Sequence, residues 1–306
     1  MPLTPDQIDR YTDQGYLMLE GVLDAATVAE MRAEIARLLA GASGLAAHTE
    51  IYDLEDSHRP EAPRVRRVKQ PHAHTPFFDR LVRSPAVLDP IRQLLGPDIR
   101  LQNSKLNLKS AGYGAAVEWH QDWAFYPHTN DDILAIGILV NDVDEENGPL
   151  MVLPGSHRGP VHDHHHAGLF CGAIDTEAAG IDLADAVKLT GPAGSMSIHH
   201  VRMVHGSDFN RSGRDRGLLL YELCAGDAWP LAGTLSPYGD YASFQARMLC
   251  GQAGNQPRLA PVPVRIPAPL PADASSIYQT QSNAGRRHFS PTSDAPSARA
   301  GVRAAT

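Results

Sequence analysis

The chain has 306 residues and a mass of 33.1 kDa, enough to bury one large core or two modest ones. Its 42% hydrophobic and 20% charged residues are ordinary for a globular domain, and a formal charge of -8 argues against a nucleic-acid partner, whose phosphates need a basic face. Cys171, Cys224 and Cys250 are odd in number, widely spaced and without a CxxC, so they read as reduced core thiols and not as a disulfide framework.

The N-terminus has no basic start followed by an apolar run, and no apolar stretch nears the ~20 residues that cross a bilayer. The expectation is a cytoplasmic protein without a membrane partner. The chain opens on a capped helix, with Thr4 as N-cap, Pro5 at the first helical position and Gln7 closing a capping box. "GYLMLEGVL" (15–23) reads as a strand or extended turn. Asp24 then caps a second helix, in which Val28, Met31, Ile35 and Leu38 recur at helical spacing. "SPAVLDPIRQLLG" (84–96) predicts a third, started by Ser84 and Pro85 and ended by Gly96.

From Ile99 the character changes. "IRLQNSKLNLK", "ILAIGILVNDV", "LMVLPGS", "GSMSIHHVRMVHG" and "LLLYELCA" are short β-rich runs divided by turn residues. Helices followed by a run of strands predict an α+β chain whose strands form a sandwich or barrel. The division expected is one domain over 1–290: a helical part over 1–96, a β core over about 97–230 and a C-terminal arm over 231–290. The composition of 291–306 predicts a disordered tail.

Fifteen histidines are many for this length, which raises a metal hypothesis. In "VEWHQDWAFYPHTNDD" (117–132), His120 and Asp122 would share one face of a strand by alternation. Imidazole with carboxylate suits iron, manganese or zinc, and two histidines with one carboxylate suit non-haem iron oxygenases, but H-x-D alone is weak. Downstream, His205 is followed by Gly-Ser, and Arg216 lies eleven residues further on, at the start of an apolar strand. A buried arginine there would grip a dicarboxylate in two places. The cluster "HDHHH" (162–166) looks like a metal site by count, but neighbouring side chains on one loop cannot all face one ion, so it reads as an exposed loop. His199 and His200 read as packing or supporting residues, and Glu118 as structural.

"LTPDQIDRYTDQGYLMLEGVL", "WHQD", "ENGPLMVLPGSHRG", "VHGSDFNRS" and Arg216 together resemble the phytanoyl-CoA dioxygenase family of Fe(II)/2-oxoglutarate-dependent oxygenases, which includes the ectoine hydroxylases. The resemblance covers about residues 3 to 225. It implies a double-stranded β-helix (jelly-roll, cupin-like) core with flanking N-terminal helices, and Fe(II), 2-oxoglutarate and O2 as cofactor and co-substrates. It makes His120, Asp122 and His205 the iron ligands and pairs Arg216 and Ser207 with the distal carboxylate of 2-oxoglutarate. Asn107 and Gln102 would reach its other end. "ENGPLMVLPGSH" is then a turn and strand closing the core, shaped by Gly148, Pro149 and Gly155.

The implied reaction hydroxylates an unactivated C–H bond of a small or medium organic molecule and releases succinate and CO2. The carboxylate of Asp122 favours hydroxylation over halogenation, with desaturation or cyclisation as variants. A non-catalytic metal-binding jelly roll and a zinc hydrolase are the alternatives from other classes; the intact triad with Arg216 argues against the first, and the second has no acid/base partner and leaves Arg216 unexplained. Trp123, Phe125 and Tyr126 fit a substrate wall as well as a core. "PRVRRVKQPHAH" (63–74) is a basic strand that reads either as a solvated sheet edge or as a pocket border. In the second reading Arg66 and Arg67 would meet an anionic substrate. Oligomeric state is not legible in the sequence.

Overall fold

The computed structural model describes residues 2–112, 114–231, 240–272, 274 and 276–290. The tail expected over 291–306 lies outside the described residues. The N-terminal part holds α1 (Pro5–Gln14), β1 (Tyr16–Leu19), α2 (Ala25–Ala40), β2 (Tyr52–Leu54), β3 (Val65–Lys69), α3 (Pro71–His74), α4 (Pro76–Val82) and α5 (Pro85–Leu95). The strand-rich body follows with β4 (Ile99–Lys109), β5 (Val117–His120), β6 (Ile133–Leu139), β7 (Leu150–Val152), β8 (His165–His166) and β9 (Leu169–Phe170). It continues with β10 (Val187–Leu189), β11 (Met196–His200), β12 (His205–Ser207) and β13 (Arg216–Ala225), and then α6 (Tyr241–Gln245), β14 (Met248–Cys250) and α7 (Ile277–Gln281).

The helix ends follow their capping residues. Thr4 accepts from the Gln7 amide while the Gln7 side chain accepts from the Thr4 amide, completing the expected box. Asp24 caps α2, whose Val28, Met31, Ile35 and Leu38 are the buried stripe. α4 was not expected; the run taken for one basic strand ends at Lys69, and Pro71 starts a helical turn.

Two antiparallel sheets face each other. The major sheet has the order β1-β11-β6-β13-β4-β3-β2, with β14 added on β4, and the minor sheet has the order β10-β7-β12-β5. Alternation sorts the side chains of the major sheet. Leu106, Ile136, Ile138, Ile198, Leu219, Tyr221 and Leu223 face α2, α4 and α5 and form the large core with Met31, Phe78 and Ile91. Lys105, Asn107, Lys109, Ala135, His199 and Arg216 face the other way, toward the minor sheet. β13 is buried along its whole length because helices cover one face and the minor sheet the other, which explains its nearly unbroken apolar run.

The segment expected to be one strand from Gly194 to Gly206 is two. β11 belongs to the major sheet and β12 to the minor, and the turn between them carries the chain across. Gly148 in "ENGPL" adopts φ +75°, and a side chain there would collide with the Asp208 carbonyl and Lys109. Among the described residues, no helix is long and apolar enough to cross a membrane.

Candidate metal centre and anion-binding cavity

β12 and β5 are antiparallel neighbours, and His205 sits directly opposite His120. The two rings are 4.1 Å apart between centroids. Asp122 does not come from a strand as alternation suggested. β5 ends at His120, and Asp122 opens a single 3-10 turn, Asp122–Ala124, that brings its carboxylate back beside the imidazoles. His120 Nδ1 donates to the Glu118 carbonyl at 2.7 Å and His205 Nδ1 to the Met203 carbonyl at 2.9 Å. A carbonyl only accepts, so both protons are fixed on Nδ1 and both Nε2 lone pairs are free. Those Nε2 atoms lie 3.7 and 3.9 Å from Asp122 Oδ1. The three ligand atoms all fall within 4.8 Å of one another, the one such group among the described residues.

The electrostatics suit a cation. Burial, with His120 and His199 beside it, holds the His205 imidazole well below its usual range, so it is neutral and can ligate. Burial opposes ionisation of Asp122, but the imidazoles of His120 and His199 and the ammonium of Lys105 beside it help to overcome that and hold the carboxyl well below its usual range. His199, from the opposite sheet, puts Nε2 3.6 Å from Asp122 Oδ2 and flanks the carboxylate.

Between the sheets lies a cavity. Its wall on the major sheet carries four cations, Arg67, Lys105, Lys109 and Arg216, with Asn107 among them. Lys105 is paired to Glu222 at 2.6 Å. The other end of the wall is uncompensated. Arg216 is 2% exposed, its Nε has no hydrogen-bond partner, and burial pulls its guanidinium down to about 10. Lys109 lies opposite it across the β13–β4 ladder and donates to Ser207 Oγ at 2.8 Å and to the Asp208 carbonyl. Burial and Arg216 together hold that ammonium well below its usual range. Among the described residues neither Lys109 nor Arg216 has a carboxylate within salt-bridge distance. Buried charge without a partner is costly, so an anion belongs at this end.

The remaining expected residues divide. Asn107 lines the cavity, its Oδ1 accepting from Arg67 Nε at 3.2 Å, and Ser207 lines it too. Gln102 is buried but does not line the cavity, because it lies three residues before Lys105, where β4 has not yet reached the site. Trp123, Phe125 and Tyr126 pack with Ile133, Phe170 and Val201 as a core beneath the metal turn, and none of them reaches the cavity. The Trp123 indole instead donates to the Pro263 carbonyl at 2.8 Å.

β3 is not a solvated edge, since β2 lies outside it. Strict alternation would oppose Arg66 and Arg67. The register with β2 slips there, as Arg67 faces Asp53 while Val65 faces Leu54, so Arg66 is the extra residue of a bulge. Both guanidiniums then lie over the ring of Tyr278, at 4.8 and 5.1 Å from its centroid. Arg67 lines the cavity; Arg66 does not, being held by Glu55 at 3.0 Å and Asp56 at 3.1 Å. In "HDHHH", His164 is buried where an exposed loop was expected, and its Nε2 accepts from the amide of Gln121, between His120 and Asp122. Lys105, Lys109 and Tyr278 were missed, whereas His199 was read as a packing or supporting residue. Alternation around Asn107 in "KLNLK" was the signal for the two lysines; Tyr278 arrives from far along the chain and left none.

A jelly-roll sandwich enclosing two imidazoles, one carboxylate and an orphaned guanidinium has the donor set of an Fe(II)/2-oxoglutarate-dependent dioxygenase. Residues 11–218 match the phytanoyl-CoA dioxygenase (PhyH) family, and the chain belongs to it. It is 39% identical over 288 residues to a probable alpha-ketoglutarate-dependent hypophosphite dioxygenase of Stutzerimonas stutzeri, a match covering 93% of this chain and 99% of that protein. It is 30% identical over 232 residues to the ectoine dioxygenase of Bordetella parapertussis, covering 69% of this chain and 71% of that one. Its fold superposes on the crystal structure of EctD from S. alaskensis with 2-oxoglutarate and 5-hydroxyectoine at a TM-score of 0.64 and 25% identity, covering 87% and 89% of the two chains. The chain is thus an iron- and 2-oxoglutarate-dependent dioxygenase that consumes O2 and acts on a small molecule.

Proposed function

We propose that the enzyme oxidises a small oxyanion, with hypophosphite and related P–H compounds as the leading class. The observation that carries this is the row of cations on the cavity wall. The 39% identity across 99% of a probable hypophosphite dioxygenase supports it. His120, Asp122 and His205 hold the iron. Arg216, with Lys109 and Ser207, grips the distal carboxylate of 2-oxoglutarate. Arg67 and Asn107 are left to meet the substrate anion. Residues 1–290 act as one domain, because the helices share the major core and the C-terminal arm packs on β5.

Iron with 2-oxoglutarate and O2 supplies the oxidant, and one oxygen atom enters the substrate while the other ends in succinate. For hypophosphite the balance closes: one P–H bond becomes P–OH, giving phosphite, succinate and CO2. The chain's part is to place two anions beside the metal without letting them repel each other out of the cavity, and to keep water away.

The test is succinate release and phosphorus NMR with hypophosphite, phosphite, proline and ectoine as candidate substrates. Phosphite formed from hypophosphite with one succinate per turnover is expected. A second reading, hydroxylation of a C–H bond in a small carboxylate-bearing molecule, uses the same cations; succinate release stimulated by proline or ectoine and not by hypophosphite would favour it.

A further inference from the structure

We infer that the C-terminal arm, residues 276–290, is a wall of the active site: Tyr278 sets the size of substrate it admits, and Glu118 is the latch that holds it. This rests on reading the cavity as the site of the two anions. Ile277 and Tyr278, on α7, line the cavity although they lie far along the chain from the strands that form it. The Tyr278 ring faces the guanidiniums of Arg66 and Arg67, and its buried hydroxyl has no hydrogen-bond partner. A phenol donor held without an acceptor among cations is placed to meet an anion.

The latch is built on the strand that carries His120. The carboxylate of Glu118, 4% exposed, accepts the consecutive amides of His288, Phe289 and Ser290 at 2.7, 3.0 and 3.1 Å. Successive amides turned on one carboxylate make an anion nest, here occupied from within the chain. The backbone of Glu118 is held too: its amide donates to Gln281 Oε1 at 2.9 Å, and its carbonyl accepts from Gln281 Nε2 at 3.3 Å. That same carbonyl orients His120. Phe289 stacks on Trp119 at 5.7 Å between centroids and lies against Gly206, where a Cβ would come within 3.1 Å of its ring. The glycine after His205 therefore leaves room for the arm. The match to the hypophosphite relative takes in 93% of this chain and so reaches into the arm.

Two measurements on the full chain test this. In the metal-free protein, Glu118→Gln should speed hydrogen exchange of 117–120 and 277–282 together, about 10-fold or more, because the latch opens as a unit. With iron, 2-oxoglutarate and phosphinates of two sizes, Tyr278→Ala should raise the KM for hypophosphite about 10-fold and let phenylphosphinate, which wild type ignores, stimulate succinate release. Tyr278→Phe should keep the size limit and raise only the hypophosphite KM. An unchanged size profile in Tyr278→Ala, or wild-type exchange in Glu118→Gln, overturns the inference. A wild type that ignores every phosphinate defeats the substrate reading instead. The arm is then judged on exchange and on substrate-free succinate formation, where wild-type values in both variants overturn it.

Discussion

The minor sheet delivers His120 and His205 from strands of four and three residues, and Asp122 from a turn. The major sheet delivers Lys105, Asn107, Lys109 and Arg216 from strands of eleven and ten residues. A metal needs ligand atoms within a few ångströms from three directions, which a regular strand cannot supply alone; a strand end and a turn can. Anions need charges spaced along a wall, and the two-residue repeat of a long strand provides that. One cavity thus joins a tight irregular site to a regular one, and each half should fail differently when damaged.

The largest expected effect is on the metal half. His120→Ala, Asp122→Ala and His205→Ala should each bring succinate formation below detection while leaving the melting temperature nearly unchanged, since three ligands leave no spare. Anaerobic addition of Fe(II) and 2-oxoglutarate should then fail to give the visible band of the chelate. A variant that keeps both band and turnover removes its residue from the ligand set.

The cationic half should fail by degrees. Arg216→Ala removes the guanidinium from a buried ion pair formed on binding, a loss of about 3–5 kcal/mol, or a hundredfold and more in the 2-oxoglutarate KM. Lys109→Met keeps the stem and loses one charge-assisted contact, about 1.5–3 kcal/mol, so its KM rise should be smaller than that of Arg216→Ala. Equal effects would mean that the carboxylate sits on the lysine as much as on the arginine. Arg67→Ala should raise the substrate KM. Arg66→Ala should leave KM nearly alone and destabilise the fold by on the order of 3 kcal/mol, because Glu55 is left buried without its partner. The same KM rise in both would return Arg66 to the cavity.

The two halves were unequally legible. That His120, Asp122 and His205 come together could be read because His120 and Asp122 are two residues apart and His205 carries its own Gly-Ser context, although alternation misjudged how Asp122 gets there. The cations follow from alternation along β4, yet only Asn107 was named, because a lysine in a strand reads by default as a solvated face. Arg66 and Arg67 needed the bulge, a matter of register with β2 and not of their own sequence. Trp123, Phe125 and Tyr126 fitted a substrate wall as well as a core, and they pack as core: nearness to Asp122 in sequence does not place a side chain in the cavity when a turn redirects the backbone. Tyr278 depends on a contact across more than 150 residues to Glu118, for which no local pattern exists.

The smallest effect separates the fold from the site. His128 and His164 are buried outside the ligand set, and burial pulls them down to about 4 and about 3. His128 Nδ1 donates to the Tyr126 carbonyl, and its Nε2 is buried without a partner; His164 Nε2 accepts the Gln121 amide. In the unfolded chain a histidine titrates near 6.5, so between that value and the folded one the unfolded state binds more protons. The stability from each neutral imidazole is therefore complete above about pH 6.5. It is lost as pH falls toward 3 to 4, at up to roughly 1.4 kcal/mol per unit for each. His72 and His200, also depressed by burial to about 4 and about 3, add with the same sign. Melting of the metal-free protein should be flat above pH 7 and decline from about 6.5 downward, starting above the range in which ordinary carboxylates titrate. His164→Gln keeps an acceptor for the Gln121 amide but cannot take up a proton, so its decline should be shallower. An acid slope equal to that of wild type would mean that His164 is not held neutral by the fold, and that the amide between the two ligands is not fixed by it.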